Sequence, residues 1–258
     1  MTADDTLLVV DDRDGVRTIT INRPEVKNAL TAAMRTQFCA LIDDADADEA
    51  VRAVIVTAVD PVFSAGVDFK EVAAGGGAPS PDTPTVNPGA ALRAATTPVV
   101  CAVNGACVTG ALELALSCTF IVASARARFA DTHARLDVVA AWGLTALLPR
   151  AVGVRKAAEL SITGNFVDAG EALRIGLVNH VVAHEELLPF TRALVDDIAP
   201  TGAVAEVLDL YRRGDGLPLA DALAVEAVHA AGRRVDPAAF GAAGAAAAAR
   251  RPHSKGVP

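Results

Sequence analysis

Aromatic side chains are scarce in this sequence, at 4% of 258 residues, and it has a single Trp and a single Tyr. Alanine makes up much of the 52% hydrophobic content instead, a composition suited to close helix packing, often against other subunits. Positive charge is also short: 23 Lys and Arg stand against 31 Asp and Glu, for a net charge of −8. That balance argues against nucleic acid as a general partner and obliges any anionic ligand to find a local basic patch. Cysteine is limited to Cys39, Cys101, Cys107 and Cys118, none in a C-x-x-C pair and three inside apolar runs. Such thiols act as small hydrophobes and point to a reducing compartment. No run approaches the ~18 apolar residues of a membrane-spanning helix. The opening "MTADDTLLVVDD" is acidic and does not read as a secretory signal. A soluble, cytoplasmic protein is expected, without membrane partners.

Several motifs are missing too. There is no phosphate-binding G-x-x-x-x-G-K-[ST], no strand-linked G-x-G-x-x-G, no H-E-x-x-H and no G-x-S-x-G elbow. His180 and His184 have the spacing of metal ligands on a helix, but "GLVNHVVAH" reads as strand and turn, so no metal site is expected. A chain of this length can bury roughly three quarters of its unfolded surface without disulfides or metal.

Strand and helix signals alternate. Leu7–Val10 and Val16–Asn22 form a hairpin pattern bent at Gly15, and Asn28 to Ala47 shows helical periodicity through Met34, Phe38 and Ile42. Ala53–Val59, Pro98–Val103 and Thr119–Ser124 are continuous apolar runs of strand length, as in buried parallel strands. Thr109–Leu116 reads as a short buried helix, and the class is α/β. Ala73–Gly89 is rich in Gly, Pro, Ser and Thr and reads as a loop able to serve as a lid. Beyond Ala193 only helical patterns remain, at Gly202–Tyr211, Leu219–Gly232 and Pro237–Arg250, followed by the basic tail "RRPHSK".

Chemistry concentrates after two of the strands. "FSAGVDFKEV" (Phe63–Val72) and "NGACVTGALELAL" (Asn104–Leu116) each put small residues before a helix whose first N–H groups lack partners. Two such groups converging on one point make an oxyanion hole, and two tight strand-to-helix turns are the plainer reading. Glu113 is the single ionisable residue of an otherwise apolar helix. It is either a working carboxylate or half of a buried ion pair.

Together these segments resemble the crotonase, or enoyl-CoA hydratase/isomerase, superfamily. The likeness extends to "NRPEVKNAL" (Asn22–Leu30), "RAVGVRKAAELSITG" (Arg150–Gly164) and "DAGEALRIGLVNHVV" (Asp168–Val182). It implies a spiral of ββα units over residues 1–195 and a helical C-terminal region, 196–258, that mediates trimerisation. It also implies an acyl-CoA thioester substrate, a homotrimer or homohexamer, and no separate cofactor. Carried over by motif, the Val67 and Gly110 N–H groups hold the thioester oxygen, and Glu113 activates water. Arg23, Lys27, Ala29, Ala65, Gly66, Asp68 and Phe69 line the substrate and CoA site, with Lys70 and Arg250, Arg251 and Lys255 as further phosphate contacts.

The sequence departs from the family on one loop. His133 stands where hydratases carry a second glutamate, Asp137 replaces a usual glycine, and "AAWG" (Ala140–Gly143) replaces P-G-x-G. His133 is read as a substitute acid, as a residue that positions substrate or water, or as a loop histidine satisfied by Asp131 or Asp137. Hydration of a 2-enoyl-CoA is the leading expectation. Double-bond isomerisation and non-catalytic acyl-CoA binding are the alternatives.

Overall fold

The computed structural model describes residues 7–75, 86–234, 240, 241 and 244. The chain divides into two units, Met1–Val204 and Ala205–Pro258. The first opens on the antiparallel strands β1 (Leu8–Arg13) and β2 (Val16–Ile21). Asp14 and Gly15 join them with φ of 52° and 74°, and two positive φ values in a two-residue loop match the right-handed twist of the paired strands.

After the helix α1 (Ala32–Ala47), strands are dealt alternately to two sheets. β3 (Ala53–Ala58) enters the first sheet and β4 (Val62–Ser64) the second, before α2 (Phe69–Ala73) and α3 (Pro88–Ala94). β5 (Val99–Val103), β6 (Ala106–Val108) and α4 (Gly110–Ser117) repeat the step. A third turn brings β7 (Phe120–Ser124) and β8 (Arg128–Ala130), then α5 (Leu144–Val152) and α6 (Val154–Thr163). β9 (Val167–Asp168), α7 (Ala169–Arg174), β10 (His180–Val182) and α8 (Leu187–Asp196) complete the unit.

The sheets run β1-β2-β3-β5-β7-β10 and β4-β6-β8-β9, parallel except at the β1–β2 and β8–β9 pairs. This is the expected ββα spiral. β3 and β5 are buried at every residue, which is why both read as unbroken apolar runs. The described part of the second unit is helical, in α9 (Ala203–Gly214) and α10 (Leu219–Gly232). Glu206 on α9 accepts from His229 at 2.7 Å and lies 3.2 Å from the Arg233 guanidinium, tying α9 to the end of α10. No helix among the described residues is long and apolar enough to cross a membrane.

Two expectations need correction. The first helix starts at Ala32, not Asn28, because Lys27 and Asn28 both have positive φ and Thr31 caps the helix by accepting from the Met34 N–H. The presumed loop Ala73–Gly89 is helical at both ends: α2 runs to Ala73, and α3 starts at Pro88 behind the capping side chain of Asn87. Its middle, like most of Pro237–Arg250 and the whole basic tail, lies outside the described residues. His180 and His184 fall on a strand and the following turn, as read. His180 packs on Phe190, and His184 lies within hydrogen-bonding distance of Ser124 and Asp60. The four cysteines are unpaired.

Candidate active site

Asn28 explains why the segment "NRPEVKNAL" matters. Fully buried, it donates to the Val59 and Val62 carbonyls at 2.7 and 2.6 Å and accepts from the Arg23 N–H at 2.8 Å. Its own carbonyl accepts from Ser64 Oγ. The next residues clamp the loop after β4: the Leu30 N–H donates to the Gly66 carbonyl, and the Asp68 N–H to the Leu30 carbonyl. That pairing brackets Val67 and leaves its N–H out of the ladder.

Gly66 has φ of 89°, and a Cβ there would lie 3.0 Å from both the Gly110 nitrogen and the Val108 carbonyl. Only glycine fits so close to neighbouring backbone. The contact sets the Val67 loop against the first residue of α4, where the Gly110 N–H has no partner within the helix. Thr109, just before it, has φ of 58°, a costly conformation for a β-branched residue. The Ala130 carbonyl, accepting from its N–H, and the Thr132 hydroxyl, 2.8 Å from its own, hold it there.

Val67 and Gly110 border a cavity of about 200 Å³ together with Glu113 and His133. Glu113 is 2% exposed. Its Oε1 accepts the Trp142 and Leu144 N–H groups at 2.6 and 3.2 Å. The sequence "AAWG" therefore still supplies backbone donors to this carboxylate, with Gly143 making the bend at φ of 122°. The other oxygen, Oε2, lies 3.5 Å from His133 Nε2. That is long for a direct hydrogen bond and leaves both atoms able to share a small ligand.

Asp131, not Asp137, is the partner of His133. Its Oδ1 accepts from the His133 backbone N–H at 3.1 Å and lies 2.6 Å from Nδ1. Asp137 is exposed and sits at φ of 55°, the left-handed position a glycine would favour. Burial alone would push the imidazole down, but the hydrogen bond to Asp131 and then the nearby Glu113 carboxyl outweigh it and raise His133 to about 9. Asp131 moves the other way: burial would raise it, yet its bonds to His133 hold it below the usual carboxylate range. At neutral pH the group at the cavity is thus an imidazolium bound to Asp131, with Glu113 Oε2 3.5 Å from its other nitrogen.

A second cavity of about 710 Å³ adjoins the first, sharing Val67 and Phe69. Arg23, Lys27, Ala29, Ala65, Asp68 and Phe69 border it, with Lys70. Gly66 contacts the α4 turn instead. Arg23 and Asp68 are engaged with each other at 2.5 Å, and Asp68 also caps α2 by accepting from the Lys70 and Glu71 N–H groups. Its hydrogen bond from Arg23 holds the Asp68 carboxyl below its ordinary range. The exposed Lys27 and Lys70 are the cations presented to this groove. No cluster of His, Cys, Asp and Glu among the described residues could hold a metal ion.

Two residues of the small cavity escape sequence reading. Trp142 contributes its N–H and its ring, and Arg35 lies with its guanidinium carbon 5.7 Å from the centre of that ring. Arg35 shares the buried stripe of Phe38, Ile42 and Ala45 on α1, and a cation on an otherwise apolar stripe is the signal that could have found it.

Comparison with known proteins agrees with this architecture. The pattern of the enoyl-CoA hydratase/isomerase family matches residues 11–229. The "probable enoyl-CoA hydratase 1, peroxisomal" of Arabidopsis thaliana is 38% identical over 216 residues, 82% of this chain and 80% of that one. A probable enoyl-CoA hydratase of Mycobacterium leprae is 36% identical over 76% of each chain. Among solved structures, an enoyl-CoA hydratase from Mycobacterium tuberculosis is 45% identical, covering 87% of this chain and 97% of that one, with a TM-score of 0.73. A Pseudomonas aeruginosa structure at 32% identity superposes with a TM-score of 0.79 over 87% and 99% of the two chains. From hairpin to α10, then, the chain belongs to the enoyl-CoA hydratase/isomerase family.

Proposed function

We propose that this protein adds water across the double bond of a 2-enoyl-CoA, with Glu113 as base and His133 in place of the second glutamate of family hydratases. The carrying observation is the 3.5 Å approach of Glu113 Oε2 to His133 Nε2 in the cavity that Val67 and Gly110 border. Glu113 Oε2 takes a proton from water as its oxygen bonds to the β-carbon. The electron pair moves onto the thioester oxygen, held as an enolate by the Val67 and Gly110 N–H groups, an effect worth on the order of 3 kcal/mol per donor. The Nε2–H of His133 then protonates the α-carbon. Glu113 is left protonated and His133 neutral, and transfer between them through a water taken into the 3.5 Å gap resets the pair. Asp131 positions the ring through Nδ1, so that Nε2 faces the substrate in both protonation states. No separate cofactor takes part.

The nucleotide end of CoA occupies the larger groove, with Lys27 and Lys70 toward its phosphates. The assembly is a homotrimer or homohexamer, held through the helical region 196–258. Tyr211, Leu219 and Val228 support this reading, since each is more than 70% exposed on α9 or α10. The compartment is cytoplasmic, consistent with four unpaired cysteines.

Hydration is tested by loss of enoyl-thioester absorbance on adding crotonyl-CoA. Turnover by the wild type and a drop of about 10²–10⁴-fold in Glu113→Gln are expected. Double-bond migration without net hydration would favour isomerisation, and tight binding without turnover at any chain length a non-catalytic role.

A further inference from the structure

We propose that the hydroxyls of Thr109 and Thr132 form a latch that holds the Gly110 N–H in its oxyanion position, which makes Thr109 a positioning residue for the thioester carbonyl. The inference rests on the oxyanion role proposed for Gly110, not on the hydration that follows. Two threonines of the chain stand at the N-terminal cap of a helix and behave in opposite ways. Thr31 is extended, at φ of −73° and ψ of 166°, and its hydroxyl accepts from the Met34 N–H. Thr109 sits at φ of 58° and ψ of −116°, and its side chain caps nothing. Its hydroxyl lies 2.8 Å from that of Thr132 instead.

Local preference alone would make Thr109 copy Thr31. An extended cap relieves the positive φ, which a β-branched side chain tolerates poorly, and gives a helix N–H a partner. That relaxation would undo the site. The ψ angle of Thr109 sets the plane of the peptide that carries the Gly110 N–H, so the angle of an ordinary cap re-aims this donor. The backbone of Thr109 is held on both sides: its N–H donates to the Ala130 carbonyl at 3.0 Å, and its carbonyl accepts from the Leu112 and Glu113 N–H groups at 3.0 and 3.1 Å. Its Cβ lies 3.4 Å from where a Cβ on Gly66 would stand, against the loop of the other donor. Only the bond to Thr132 draws the hydroxyl itself away from the helix donors. Thr109 is buried and borders the small cavity, and Thr132 directly precedes His133. The latch therefore also ties the oxyanion turn to the loop that carries the imidazole.

A push–pull thioester, para-dimethylaminocinnamoyl-CoA, reports on the donors in the bound state, because its absorption moves to longer wavelength as hydrogen bonds polarise the carbonyl. The wild type should shift the band to the red. Thr132→Val, close in shape but without a hydroxyl, should lose most of that shift. Hydration of crotonyl-CoA by the same variant should fall by about 10–100-fold in kcat with KM little changed. Adding Thr109→Gly to Thr132→Val should restore both, since glycine holds a positive φ without a latch. That rescue separates the latch from a displaced His133 or a packing defect, neither of which a glycine at position 109 would repair. Should Thr132→Val fail to fold, Thr132→Ala makes the same comparison. A full red shift in folded Thr132→Val, or no rescue by Thr109→Gly, overturns the proposal, as does a wild type that leaves the band unmoved. If the shift and its rescue appear but crotonyl-CoA is not hydrated, the hydratase reading fails and this one stands; hydration with a shift insensitive to Thr132→Val gives the reverse.

Discussion

Replacing Asp131 with asparagine separates the charge on His133 from its position. The asparagine oxygen can still accept from Nδ1, so the ring keeps its orientation and loses only its ionic partner. Burial, which acts to lower the imidazole, is then opposed by Glu113 alone, and the pKa should drop from about 9 toward or below the ~6.5 of a free imidazole. At pH 8 a group with pKa near 9 is about nine-tenths protonated and one near 6.5 only about 3%, so kcat should fall by roughly 30-fold there and little near pH 6. The alkaline limb of the kcat profile should move down by about 2.5 pH units, and NMR titration of His133 should move with it.

Stability follows the same linkage. The folded-state value lies above the unfolded one, so the stabilisation is complete below pH ~6.5 and is lost as pH rises through about 9. The gap corresponds to about 3 kcal/mol, shared between Asp131 and Glu113. Asp131→Asn should therefore be less stable than the wild type at pH 6, with the difference closing by pH 10. An alkaline limb that stays near 9 in this variant would refute the argument.

His133→Glu, which restores the pair of glutamates usual in the family, should be a poor enzyme. It sets a third carboxylate beside Asp131 and Glu113, and the double variant Asp131→Asn/His133→Glu should hydrate crotonyl-CoA faster than the single one. Gly66→Ala forces a Cβ against the Gly110 nitrogen and the Val108 carbonyl at a positive φ. Thermal unfolding should show a loss of about 1–3 kcal/mol, and kinetics a larger effect on kcat than on KM as the oxyanion donors separate. An unshifted melting temperature would mean that the two loops are not in contact as described.

Much of this could be read from the chain itself. The alternating strands, Glu113 on its apolar helix and the two glycine turns are local patterns, each set by residues close in sequence. What the sequence left open depended on backbone direction. Asp131 and Asp137 stand on either side of His133 within a few residues, and only the turn that directs both the backbone N–H and Nδ1 of His133 to Asp131 distinguishes them. Helical periodicity ran back to Asn28, because nothing in it reveals that Lys27 and Asn28 adopt left-handed conformations. Arg35 sits in plain view on α1, but the ring it approaches, Trp142, comes 107 positions later in the chain (142 − 35).

The shared wall of the two cavities has a consequence for how binding energy is used. Val67 and Phe69 border both the proposed nucleotide groove and the proposed acyl chamber. On that proposal, whatever grips the adenosine phosphates in the groove also loads the loop that carries the Val67 N–H. Affinity earned far from the double bond can then be expressed as alignment at the thioester carbonyl, and a thioester cut back to its pantetheine arm would suffer in turnover and not merely in occupancy.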